Sequence, residues 1–287
     1  MAALLSGVID YAGLFPPAAL AMADAIRAYA LYLDSESAWM LGRFVVPATR
    51  LEELAEHATP VWQSGRRWHV SAVGTASDLD AVASFSARHA DRACVDSFET
   101  RATSVVEIRT LAGRCTSPLL RLHVELPLTA ALESLVRAVR DAGAVAKVRT
   151  GGVTTEAFPS AGALAEFLLL CARHEVPFKA TAGLHHPLRG EYPLTYDAGS
   201  PRATMFGFVN VFLAALLARE GADQRTLESL LTEREGSSIT ADASGIAWRG
   251  HRVSAERVRE GRACSAVSFG SCSFTEPVHD LATLGFA

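Results

Sequence analysis

The chain has 287 residues, with 27 basic against 31 acidic side chains and a net charge of −4. That balance excludes a surface given over to nucleic acid, and 49% hydrophobic against 20% charged residues excludes a disordered chain. Read for apolar runs of roughly 20 residues, the sequence predicts no membrane span, and Met1–Gly7 has neither a basic start nor an unbroken apolar stretch before Asp10, so no signal peptide is expected. The five cysteines are odd in number, scattered and outside any C-x-x-C pair. They predict a reduced, cytoplasmic protein without a structural zinc knuckle.

Short apolar runs alternate with amphipathic stretches. Gly7–Tyr11 precedes a helical pattern at Met22–Leu33. Leu41–Pro47 precedes Arg50–His57, Trp68–Gly74 precedes Ser77–His89, and Cys94–Phe98 precedes Ser104–Ala112. Leu119–Leu126 leads to Thr129–Ala142, Val145–Thr150 leads to Ala161–His174, and Pro177–Gly183 is the seventh run. Apolar residues at three- and four-residue spacing predict the helices, and the short runs predict strands. The rhythm breaks between Leu184 and Ser265, where helical patterns at Thr204–Glu220 and Gln224–Glu235 and a hairpin pattern through Ile246–Val253 intervene. The eighth run, Ala266–Phe269, and a helix-like Glu276–Leu284 follow. Eight alternations predict one α/β domain over residues 1–287, a (β/α)8 TIM barrel with an insertion at about 184–265. A doubly wound open sheet is the other closure. Because the insertion leaves from the end of strand seven, it is expected over the carboxyl mouth, as a lid, a static cover or an oligomer contact. Phe206, Phe208 and Phe212 have helical spacing and read as core.

Of the 27 basic residues, 25 are Arg and only Lys147 and Lys179 are Lys. Either these two survive by chance or they do what Arg cannot, since a buried Lys can become a neutral nucleophile and Arg cannot lose its proton. Side chains alternate across a strand. In the fifth run Arg121, His123 and Glu125 therefore share one face and Leu122, Val124 and Leu126 the other. Lys147 and Arg149 share a face in the sixth, as do Lys179, Thr181 and Gly183 in the seventh. A barrel would turn these polar faces inward, where charge is costly unless paired. One reading is a structural network, Glu125 with Arg121 or Lys147. The other is chemistry: burial and mutual repulsion drive the two lysines toward neutrality, so that one attacks a carbonyl and forms a Schiff base.

The context of these lysines resembles the 2-deoxyribose-5-phosphate aldolase family. Lys147-Val148-Arg149-Thr150-Gly151 is similar to that family's strand-six K-x-x-T-G, and Lys179-Ala180-Thr181-Ala182-Gly183-Leu184 to its strand-seven K-A-[ST]-x-G-[IL]. Ile9-Asp10, followed by Leu14, Pro16 and Pro17, resembles its first strand, Arg121 and Glu125 its fifth, and Gly270-Ser271-Cys272-Ser273 its phosphate loop. The chain departs from the pattern in Arg121, which replaces a lysine, in the insertion, and at strand four, where Asp96 or Glu99 stands for an aspartate. The resemblance implies a (β/α)8 barrel and a class I, Schiff-base aldolase or lyase. Lys147 would be the nucleophile, Lys179 its pKa-lowering neighbour, and Asp10 and Glu125 the proton shuttles. Arg121, Arg149 and Arg189 would hold a carboxylate or phosphate, with Thr181, Gly183, His185, Gly270, Ser271 and Ser273 completing the substrate site.

Two alternatives stay open. A metal-dependent isomerase or lyase would hold a divalent cation on Glu99, Glu125 and His185, whereas the aldolase reading needs no cofactor. A small-anion binding protein would keep the cationic pocket without turnover. Ser273 or Thr275 could equally cap the last helix, and Cys272, with no base evident beside it, reads as loop. The expected partner is a small anionic molecule, with neither nucleic acid nor membrane; a homo-oligomer is compatible with the sequence.

Overall fold

The computed structural model describes residues 1–62 and 65–286. Eight parallel strands close into a barrel: β1 (Ile9–Tyr11), β2 (Leu41–Pro47), β3 (Trp68–Val73), β4 (Ala93–Arg101), β5 (Arg121–Glu125), β6 (Val145–Arg149), β7 (Phe178–Thr181) and, after the insertion, β13 (Ala266–Ser271). Each pairs with its chain neighbour, and β13 closes the ring between β7 and β1. The open-sheet alternative is thereby excluded. Strand alternation turns the polar faces inward, where Lys147 is opposite Lys179 and Glu125 opposite Lys147 in the strand registers.

The helices are α1 (Ala2–Leu5), α2 (Met22–Leu33), α3 (Leu51–Ala58), α4 (Leu79–Arg88), α5 (Val105–Arg114), α6 (Leu132–Asp141), α7 (Ala161–Arg173), α8 (Phe208–Arg219), α9 (Gln224–Leu231), α10 (Ala255–Cys264) and α11 (Thr275–Thr283). Their apolar stripes face the strands, as in α6, where Leu132, Leu135, Val136 and Val139 are buried and the Arg and Glu positions face out. The stretch Thr155–Arg173 is long and apolar enough to cross a membrane. It is broken by extended backbone at Phe158, and α7 within it packs on α8 and α9.

The insertion departs from expectation. It begins with the antiparallel hairpin β8 (Gly190–Pro193) and β9 (Arg202–Met205), so the predicted helix at Thr204 starts only at Phe208. Helix α8 is apolar on every face and buried along nearly its whole length, Phe208 and Phe212 included. Such a helix requires cover on its outer side as well. The cover comes from α9, α10 and a three-stranded sheet, β10 (Ile239–Asp242), β11 (Gly245–Trp248) and β12 (His251–Ser254). Helix α10 packs on α1, which enters the amino end of β1, and on β13. Most of Leu184–Ser265 thus wraps the outside of the barrel instead of covering its mouth. The mouth is reached by His185 at the start of the insertion and by the β8–β9 hairpin, where Tyr192 stacks on His186 and the Tyr196 hydroxyl donates to Glu276 at 3.2 Å.

Candidate active site

The carboxyl ends of the strands open into a cavity of about 850 Å3. Its walls are apolar, formed by Phe15, Val45, Val73, Val106, Leu111 and Val153, and its floor is charged. Lysines and carboxylates alternate across that floor. Lys179, 1% exposed, donates to Asp10 and to Glu99 Oε1, the latter at 2.6 Å. Glu99 gives its other oxygen to Lys147, 2.9 Å away, and Lys147 lies 3.1 Å from Glu125 Oε2. Glu125 Oε1 accepts from Arg101 at 2.8 Å and Arg149 at 3.3 Å on the rim. Ser268 donates to Asp10, and Ser71 to Glu99.

These pairings correct the expectation that mutual repulsion and burial drive Lys179 toward neutrality. Burial works against the charge on Lys179, but Asp10 and Glu99 outweigh it and raise the pKa above the ordinary lysine value. Lys179 is therefore a fixed ammonium and not a lysine pushed toward neutrality. Burial likewise disfavours the ionised Glu99, yet the two lysines hold its carboxyl well below the usual range; Glu125 is lowered too, by Lys147 and Arg149 against its own burial. Of the two pairings weighed for a structural network, Glu125 takes Lys147 and not Arg121.

The strand-end motifs have a local cause. The Thr150 hydroxyl donates to the Ala182 carbonyl at 2.5 Å, tying the end of β6 to that of β7. Gly183 has φ +70°, and a Cβ there would stand 2.9 Å from the Gly151 Cα. Glycine at 183 thus permits both the left-handed backbone and the close approach of the two loops.

The remaining predicted residues divide by position. Thr181, Gly270 and His185 line the cavity with the two lysines and Glu125, and Arg149 stands at its rim. Gly183 lines a small adjoining pocket, and Ser271 is buried with its hydroxyl 3.3 Å from His185 Nδ1. Asp10 is fully buried beneath the cavity and does not line it, so its place is to hold Lys179 rather than to meet a substrate. Arg121 is exposed at the amino end of β5, on the opposite end of the barrel, because five residues of strand carry the side chain away from the mouth. Asp96 lies near it, paired with Arg43, which leaves Glu99 as the strand-four carboxylate of the floor. Arg189 packs over Phe206 outside the cavity. Ser273 caps α11, accepting from the Glu276 N–H at 3.2 Å. Glu99, Glu125 and His185 do not converge as a metal set: the two carboxylates engage Lys147, while His185 sits with Ser271, Cys272 and Glu276. Among the described residues no three His, Cys, Asp or Glu side chains form such a group.

The sequence assigns no catalytic or binding role to Arg101 at the rim or to His123 and Cys272 inside. Arg101 lies two past Glu99 on the same face, but β4 runs to Arg101 rather than ending at Phe98. His123 shares parity with Glu125 and is wholly buried, with no hydrogen-bond partner on either ring nitrogen among the described residues; burial first, then Lys179, pushes its pKa down to about 3. Cys272 has a base after all, since β7 and β13 are neighbours and bring His185 Nδ1 to 3.9 Å from its sulfur. No protein-family model and no curated protein matches the chain.

Proposed function

We propose that the chain is a class I, Schiff-base aldolase or lyase acting on a small anionic carbonyl compound, with Lys147 as the amine. The observation that carries this reading is Lys147 Nζ on the floor of the cavity, between two carboxylates within hydrogen-bond reach. As the substrate carbonyl arrives, the ammonium proton passes to Glu125 and the freed amine attacks the carbon. Loss of water, with the proton returned, leaves an iminium that accepts the electron pair of the adjacent carbon–carbon bond. Glu125 then exchanges the proton at the neighbouring carbon. Lys179 stays cationic and keeps Glu99 ionised.

Arg101 and Arg149 share the single carboxylate of Glu125, which leaves positive charge at the rim for a substrate anion. The first turn of α11, where the resemblance would seat a phosphate, already holds the Glu276 carboxylate, 3.4 Å from His185. That favours a carboxylated over a phosphorylated substrate. Five free cysteines fit a reduced, cytoplasmic setting.

The complete ion pairing of the floor favours a second reading, a small-anion binding protein without turnover. Incubation with pyruvate or short aldehydes and borohydride separates the two. With only two lysines in the chain, peptide mapping assigns any adduct. An adduct on Lys147 that disappears in Lys147→Arg supports the enzyme. Binding of a carboxylate without any adduct supports the binder, and an adduct on Lys179 reverses the roles.

A further inference from the structure

The cavity holds a second nucleophile that the Schiff-base chemistry does not use. Cys272 is 5% exposed and lines the cavity together with His185. Around the sulfur stand the His185 ring and, at 3.5 Å, the Tyr196 hydroxyl carried in by the β8–β9 hairpin. The same nitrogen, His185 Nδ1, also lies 3.4 Å from Glu276 Oε2 and 3.3 Å from the Ser271 hydroxyl, so its proton is shared between thiolate and carboxylate. This is the arrangement of an activated thiol: a base beside the sulfur, a carboxylate beside the base, and a cavity in front.

We propose that Cys272 and His185 form a thiolate–imidazolium pair that adds reversibly to small aldehydes entering the cavity. The sulfur lone pair forms the bond to the carbonyl carbon, the C=O π pair moves to oxygen, and that oxygen takes the proton from His185. The product is a thiohemiacetal and neutral imidazole, and no oxidant or reductant takes part.

The surroundings agree on charge. Burial would raise the Cys272 thiol, but the contacts from His185, Tyr196 and the Ala18 backbone lower it below the ordinary value. Burial would lower His185, but Cys272 and Glu276 raise it to about 9. His186 shares Glu276 at 3.9 Å and bonds Asp280, so it shields the outer side of the carboxylate without competing for the sulfur.

The test is limiting iodoacetamide across pH 5–10 on the full chain, with each of the five cysteines mapped. It is repeated in Lys147→Arg, which forms no imine, so the thiol is judged apart from the Schiff-base reading. The expected result is that Cys272 reacts at least about fivefold faster than exposed Cys264 at pH 7, with a midpoint below the free-thiol value of about 8.5. His185→Gln should move that midpoint up by about a unit or more, and Glu276→Gln should move it in the same direction by less. Millimolar acetaldehyde should slow alkylation of Cys272 and leave Cys264 unchanged. Reaction of Cys272 no faster than Cys264, a midpoint at or above 8.5, or no protection by acetaldehyde overturns the proposal.

Discussion

Glu99 divides its two carboxylate oxygens between the two lysines of the chain, Oε1 to Lys179 at 2.6 Å and Oε2 to Lys147 at 2.9 Å. The lysines are therefore linked through one charge, and a change at either is felt at the other. Lys179→Met should expose this. It leaves Asp10 buried without its cation and Glu99 with Lys147 alone, at a cost of about 3–5 kcal/mol. The midpoint of urea unfolding should fall accordingly, and adding Asp10→Asn should recover part of the loss.

His123 predicts an acid-sensitive fold. Its folded pKa, about 3, is depressed below the ordinary histidine value of about 6.5, so below that value the unfolded chain binds a proton that the native state refuses. Stability is then lost as pH falls from about 6.5, amounting to about 2 kcal/mol between pH 7 and 5. His123→Leu should flatten that interval in urea titrations. Glu99 and Glu125 act lower. Their folded pKa values are depressed, so their contribution is complete above about 4.3 and is lost as pH falls further. A second acid loss should persist in His123→Leu.

On the anion side, Arg149→Ala and Arg101→Ala should each raise the KM for a carboxylated substrate about tenfold or more, from a lost charged hydrogen bond of about 1.5–3 kcal/mol. Arg121→Ala, at the far end of the barrel, should leave kcat and KM unchanged. Equal effects of all three would contradict the assignment of the rim.

Asn210 within α8 should be a stability hinge for the insertion. Its Oδ1 accepts the Arg189 N–H at 2.9 Å, and its Nδ2 donates to the Leu230 and Glu233 carbonyls at 2.8 and 3.0 Å. Asn210→Ala orphans all three backbone groups and should cost about 2–3 kcal/mol or more in thermal or urea unfolding.

The barrel was legible because the strand runs and their parity are local properties. Alternation alone turned Glu125, Lys147, Arg149 and Lys179 inward. Height along the barrel axis was not legible. Arg121 and Glu125 share a face, yet four residues of rise of about 3.3 Å each put them at opposite ends. Partners across the lumen were not legible either. The charge state of Lys179 is set by Asp10 and Glu99, residues 169 and 80 positions away, and no spacing announces such contacts. The predicted barrel already sets β13 beside β7, but how the loops after the two strands turn Cys272 toward His185 has no mark in the sequence. The cover of α8 could have been inferred, since Phe208–Ala218, apolar but for Asn210, has no face for solvent.

Ring closure between β1 and β13 has a consequence for synthesis from the amino terminus. Asp10 belongs to the first strand, while Ser268, Gly270 and Cys272 belong to the last strand and the turn after it. During translation the carboxylate that will hold Lys179 emerges early and must wait for some 260 further residues before Ser268 closes over it. Until then the charged floor lies open to water along one seam. A truncated or stalled chain that lacks β13 therefore has nearly every charge of the floor but no enclosed chamber, and its ion pairs are hydrated and weak.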